Sequence, residues 1–164
     1  MKNIIEILLL LCICTASTCE KKEDNENCHL AIKFSNNTER SLYVRSAQYN
    51  VYHPFSSEIK YLSNTVEATS MYKVNGGEQD NRNAMLLRSC HESFFGRDGY
   101  SDTLTVYVFD ASVVENTPWE IVARDYLVLK RYDLSLEDLR RLDWRITYPS
   151  TEAMKNIKQY PPYE

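Results

Sequence analysis

The chain has 164 residues, a formal net charge of −4 at pH 7 and 43% hydrophobic residues. This length suits one domain that can bury a core, and the mild acidity argues against nucleic acid as a partner, since nucleic-acid binding calls for a basic patch. The sequence contains no P-loop, G-x-S-x-G, H-E-x-x-H or C-x-x-C motif. We therefore expect a non-catalytic protein without a cofactor.

The first residues have the order of an export signal. Lys2 precedes an apolar run over 7–14, small residues follow at 16–18, and Cys19 comes next. A positive start, an apolar middle and small residues before the cut are typical of a secretory signal, and the run is too short for a permanent span. A cysteine at this place resembles the lipidation site of a bacterial lipoprotein.

We expect residues 1–18 to form the signal peptide and Cys19 to carry the lipid. Ordinary secretion, or an uncleaved signal retained in the membrane, is the alternative. Residues 20–27 have no apolar side chain, so the segment 19–28 is predicted to be a flexible acidic tether. Acidic residues behind a lipidated cysteine also resemble a surface-export signal, which implies an outer-membrane anchor and an exposed domain.

Two cysteines remain in the predicted mature domain. In an oxidising compartment Cys28 and Cys90 are most simply a disulfide. Each is followed by a histidine, His29 and His91, which leaves a zinc site or two free thiols as alternatives. Spacing disfavours zinc, because structural zinc prefers ligands in close pairs such as C-x2-C.

Alternating apolar residues predict short strands across the domain 29–148. Residues 29–35 and 41–47 are expected to pair as a hairpin, and 102–110, with apolar residues on both faces, to be the central strand. Further strands are predicted at 72–74, 126–132 and 144–148. Short helices are predicted after Thr117 and Ser135, both of which can cap a helix.

These elements favour a mainly β fold, namely an antiparallel β-sandwich of the immunoglobulin-like kind with two short helical inserts. An open α+β sheet is the alternative. The last residues, 149–164, are expected to form an extended C-terminal tail, because the prolines at 161 and 162 cannot donate to a ladder.

The sequence near the C-terminus resembles a known group. Tyr-Asp-Leu-Ser-Leu-Glu-Asp-Leu at 132–139 and Trp-Arg-Ile-Thr-Tyr-Pro at 144–149, together with the signal, are similar to short uncharacterised lipoproteins of Bacteroides-type bacteria. The resemblance implies an envelope lipoprotein and carries over no functional residues. Asp102-Thr103-Leu104 also resembles a short O-glycosylation site, with Thr103 as the acceptor.

Together these observations predict a lipid-anchored binding module of the cell envelope, whose ligand is a glycan or a protein. Tyr49, Tyr52 and His53 form the candidate ligand contacts, because tyrosines can stack on sugar rings. The alternative is a structural or assembly subunit that pairs with another envelope protein by strand addition. An enzyme is the least favoured reading.

Overall fold

The structure is a computed structural model that describes residues 24–49, 71–97 and 100–164. The strands in these ranges are β1 (Lys33–Asn36), β2 (Leu42–Tyr49), β3 (Tyr72–Val74), β4 (Tyr100–Asp110), β5 (Lys130–Leu134), β6 (Arg145–Tyr148) and β7 (Lys158–Tyr160). The helices are α1 (Ala111–Asn116), α2 (Trp119–Arg124) and α3 (Leu136–Arg141), with 3-10 helices at His91–Phe94 and Glu152–Met154.

The main sheet has five antiparallel strands in the order β3-β2-β4-β5-β7. The predicted mainly β class is confirmed, and β4 is central, as its two apolar faces predicted. A second ladder pairs β1 with β6 in parallel. None of the helices within the described ranges is long and apolar enough to cross a membrane.

The two faces of β4 enter two different cores. Leu104, Val106 and Val108 lie on one face, in the larger core that also contains Phe34 of β1 and Ile146 of β6. On the other face, Tyr107 and Phe109 pack in a smaller core with Val122 and Ala123 of α2. The main sheet is therefore covered on one side by the parallel ladder and on the other by helices.

The predicted hairpin between residues 29–35 and 41–47 is wrong, because β1 pairs with β6 and not with β2. The side chain of Asn36 redirects the chain, since its amide donates to the carbonyls of Arg40 and Asn75, at 2.8 and 2.9 Å. The two loops meet so closely that a Cβ on Gly76 would lie 2.0 Å from the carbonyl oxygen of Glu39.

The predicted helices are present, with differences at their ends. Ser135 caps α3, and Ser135 and Asp138 form a reciprocal capping box. At α2 the residue in the cap position is Pro118, without a side-chain bond, so the predicted Thr117 cap is displaced. The structure adds α1, which Asp110 caps through Ser112. It begins β5 at Lys130, four residues after the start of the predicted strand 126–132, and ends it at Leu134, two residues later than predicted.

Both ends of the described chain join the domain. At the N-terminal end, Asn25 bridges to Cys28, and a carboxylate oxygen of Asp24 accepts the Leu30 N–H at 2.7 Å. Residues 24–28 are thus attached to the domain, unlike the free tether predicted over 19–28. The segment 149–164 is also no separate tail, because it contains a 3-10 helix and β7, which pairs with β5.

The C-terminal segment contributes to the larger core through Met154 and Ile157. We expect Ile157→Ala to lower the free energy of unfolding by about 3 kcal/mol, because it leaves a cavity where the native side chain is buried. Urea unfolding measures this change, and exposed Asn156→Ala is the matched control. An Ile157→Ala variant as stable as the control would contradict the integration of this segment.

Candidate functional site

A disulfide joins Cys28 to Cys90, with the two Cα atoms 4.8 Å apart, and the predicted pairing is confirmed. The bond spans a sequence separation of 62 residues, which is worth roughly 4 kcal/mol in the chain-entropy model. Both sulfurs are used, so neither cysteine is a free thiol, a thiolate ligand or a nucleophile. Within the described parts of the chain, no group of three or more His, Cys, Asp or Glu side chains is placed to hold a metal ion.

The residues after the two cysteines are also joined. The N–H of His91 donates to the carbonyl of His29 at 2.8 Å. The carboxylate of Glu92 accepts the backbone N–H of His29 at 2.9 Å, and its other oxygen lies 2.6 Å from Nδ1 of the same histidine. Burial opposes ionisation of Glu92, but these hydrogen bonds outweigh it and lower the pKa of Glu92 below its ordinary value.

Trp144 completes this arrangement, which we call the disulfide corner (Cys28, His29, Cys90, His91, Glu92 and Trp144). Its ring stacks on that of His29, with centroids 4.0 Å apart and planes 13° from parallel. Its backbone has φ +55°, a left-handed conformation that costs a bulky residue about 1–3 kcal/mol. The turn after α3 imposes this conformation, because the backbone N–H of Trp144 donates to the carbonyl of Leu139 and the Trp144 carbonyl accepts the N–H of Lys33.

His91 is the most enclosed group of the corner, at 1% exposure. Its Nε2 lies 2.9 Å from the carbonyl oxygen of Met85, and a carbonyl only accepts, so Nε2 carries the hydrogen. Nδ1 is then a buried lone pair without a partner in the described structure. Burial lowers the pKa of His91, so the ring is neutral at pH 7.

A second cluster lies across the sheet, on the face of β4 that carries the smaller core. Arg131 and Asp133 of β5 form an ion pair at 2.8 Å, with side-chain exposures of 9% and 6%. The guanidinium of Arg131 stands 5.7 Å from the ring centroid of Tyr107, and its β7 neighbour in register is Tyr160. We call Tyr107, Tyr126, Arg131, Asp133 and Tyr160 the tyrosine face.

Tyr126 enters this face from an unusual backbone position. It follows the end of α2 with φ +50°, and the bonds Tyr126 N–H to Ala123 and Leu127 N–H to Val122 form a Schellman motif. Glycine is the usual residue there. In this position the Tyr126 ring packs edge-on against Tyr160, with ring centroids 5.6 Å apart. Burial raises the pKa of Tyr126 to about 12, so the phenol keeps its proton at pH 7.

The structure describes only some of the site residues that the sequence predicted. Cys19, Tyr52 and His53 lie outside the described residues, as does the signal. Tyr49 is the last residue of β2, and its Cα lies opposite that of Tyr100 in β4. Thr103 lies within β4, half-buried. The structure therefore does not bring the three predicted ligand contacts together as a described site.

Sequence reasoning missed most residues of the two clusters. Glu92 could have been found, because an assumed disulfide brings the residues after Cys28 and Cys90 close together and an acid then faces His29. Tyr126 carried no such signal, since its importance depends on a helix end that normally contains glycine.

No family model, curated protein or solved structure matches the chain.

The Glu92 carboxylate should stabilise the domain in a pH-dependent way. Because folding lowers its pKa from 4.5, the stabilisation is complete above that value and is lost as pH falls through the folded pKa. We expect Glu92→Gln to lower the free energy of unfolding by roughly 1–2 kcal/mol at pH 7, with a smaller difference at low pH.

Urea unfolding of both proteins at neutral pH and near pH 3 measures this difference. Exposed Glu39→Gln is the matched control. A deficit of equal size at both pH values would show that the charge of Glu92 is not the source of the stabilisation.

Proposed function

We propose that this chain is a lipid-anchored, non-catalytic binding module of the bacterial cell envelope, held at the outer membrane through Cys19. The observation that supports export is the Cys28–Cys90 disulfide, because such bonds persist in oxidising compartments and are rare in reducing ones. The acidic stretch after Cys19 supports a location on the outer surface of the cell.

The attachment of the N-terminal residues supports a presenting role. The disulfide and Glu92 tie Cys28 and His29 to the segment around Cys90, and Asp24 is hydrogen-bonded to Leu30. If Cys19 is the lipidated residue, only a few residues separate the anchor from the domain. A module held this way is kept close to the bilayer.

The tyrosine face is the surface we propose for the ligand. The rings of Tyr126 and Tyr160 are half-buried, and Lys158, whose side chain is 66% exposed, lies beside Asp133. Apolar ring surface next to a few placed polar groups is a usual composition of binding sites, and it suits a glycan. Tyr49, Tyr52 and His53 remain proposed contacts for the same ligand.

Two parts of this proposal have alternatives. We propose that the β1–β6 ladder and the main sheet are the two layers of a β-sandwich, because both contribute to the larger core; an open α+β sheet is the alternative. The alternative function is an assembly subunit that pairs by strand addition. The outer strands of the main sheet, β3 and β7, each have three residues, which offers an added strand little backbone.

The anchor is tested by substituting its cysteine. We expect Cys19→Ser to move the protein from the membrane fraction to the soluble fraction and to abolish incorporation of labelled fatty acid. Cys14→Ser is the matched control, because Cys14 lies in the predicted signal and its loss should change neither result. Membrane retention of Cys19→Ser would contradict the lipoprotein assignment.

The ligand is tested with a glycan array. We expect the folded domain to bind a subset of glycans, and Tyr160→Ala to weaken this binding at least about tenfold, since hot-spot aromatic residues often contribute 1–2 kcal/mol or more. Exposed Tyr72→Ala, on the opposite edge strand, is the control. Specific capture of an envelope protein without glycan binding would favour the assembly role, and substrate turnover would contradict both.

A further inference from the structure

The strip formed by residues 82–88 runs beside the N-terminal end of the described chain. Leu86 forms a β-bridge with Ala31, and the N–H of Leu87 donates to the carbonyl of Leu30 at 2.7 Å. Leu30 is the residue whose own N–H is held by Asp24. The strip therefore lies about one strand spacing, roughly 5 Å, from the backbone that leads toward Cys19.

The exposed side of this strip carries an apolar side chain, Leu86, between two basic side chains, Arg82 and Arg88. Leu86 is 54% exposed, more than the exposed Tyr72 and Leu127, which are both at 38%. Arg82 and Arg88 are both exposed. Arg82 is ion-paired with Asp24, which also fixes the N-terminal residues against the strip.

The chain length before Asp24 limits which side of the domain can reach a bilayer. Cys19 is five positions upstream, and an extended chain spans at most about 3.6 Å per residue, so Asp24 stays within roughly 18 Å of a lipid attached to Cys19. A domain of this size is on the order of 35–40 Å across. The side that carries Asp24 and the strip is therefore the side nearest the membrane.

We propose that the strip 82–88 is a second membrane contact, in which Leu86 enters the interface and Arg88 meets lipid phosphates. This inference rests on the proposed lipidation of Cys19. The affinity of a single leucine and one or two arginines for a bilayer is weak. The anchor, however, keeps the strip at a millimolar effective concentration near the membrane, which is about the range in which weak contacts are occupied. Basic side chains near an anionic surface strengthen such a contact.

The position and charge of the strip indicate that its partner is the membrane surface. The anchor inserts its acyl chains into a membrane whose headgroups carry anionic phosphates, and that membrane is the surface within reach of the strip. An anionic headgroup can pair with Arg88, whereas the charge of Arg82 is balanced by Asp24. The contact fixes the tilt of the domain and turns the helical side, which carries Leu127 of the turn after α2, away from the membrane.

The test places a tryptophan at each of two exposed leucines. Acylated protein is reconstituted into vesicles of phosphatidylethanolamine and phosphatidylglycerol with brominated acyl chains, which quench tryptophan emission on contact. We expect the emission added by Leu86→Trp to be quenched at least about twofold more than that added by Leu127→Trp, the control at 38% exposure, because an interfacial side chain sits within reach of the acyl chains.

The charge contribution is tested in the same vesicles. Adding Arg88→Glu to Leu86→Trp should reduce the excess quenching, and replacing phosphatidylglycerol by neutral lipid should do the same. Equal quenching at the two positions in protein whose acylation is confirmed by mass would overturn the second contact while leaving the anchor intact. Protein without acyl mass on residue 19 would overturn the proposed anchor, and this inference with it.

Discussion

The rest of the domain depends on the joint between Cys28-His29 and Cys90-His91-Glu92. The disulfide fixes the two backbones side by side, and the Glu92 carboxylate then binds His29 through both its main chain and its ring. His29 in turn stacks on Trp144, whose carbonyl receives the first N–H of β1. Three distant segments thus meet at one point, and the β1–β6 ladder begins there.

Buried polar groups are handled differently on the two sides of the central strand. On the side of the larger core, Asn36 is fully buried, and its amide and carbonyl oxygen are bonded to the loops at 38–40 and 75. On the other side, Arg131 and Asp133 neutralise one another, and Thr105 donates a further bond to Asp133. Because a buried polar group or charge without a partner is costly, the Asn36 bonds specify where the two loops lie and the Asp133 bonds join β4 to β5.

The sequence predicted what depends on local pattern. The alternation over 102–110 located β4 and its two faces, Ser135 and Asp138 located α3, and the two remaining cysteines predicted the disulfide. It failed where distant contacts decide the outcome. Residues 29–35 alternate like one strand of a hairpin. The Asn36 side chain, however, bonds to the carbonyls of Arg40 and Asn75, and β1 pairs with β6, which lies far along the chain. The tyrosine face was missed for the same reason, since nothing local links Tyr126 to Arg131 or Tyr160.

The parallel pairing of β1 with β6 has a consequence for how the domain forms. The two strands stand near opposite ends of the described chain, so this ladder cannot form until nearly all of the polypeptide is available. Pairing of this kind raises contact order and slows folding, because a long loop must close before the contacts compensate its entropy. Until then Ile32 and Phe34, which the finished domain buries completely, lack the cover that β6 gives them, and this segment of an emerging chain is open to aggregation.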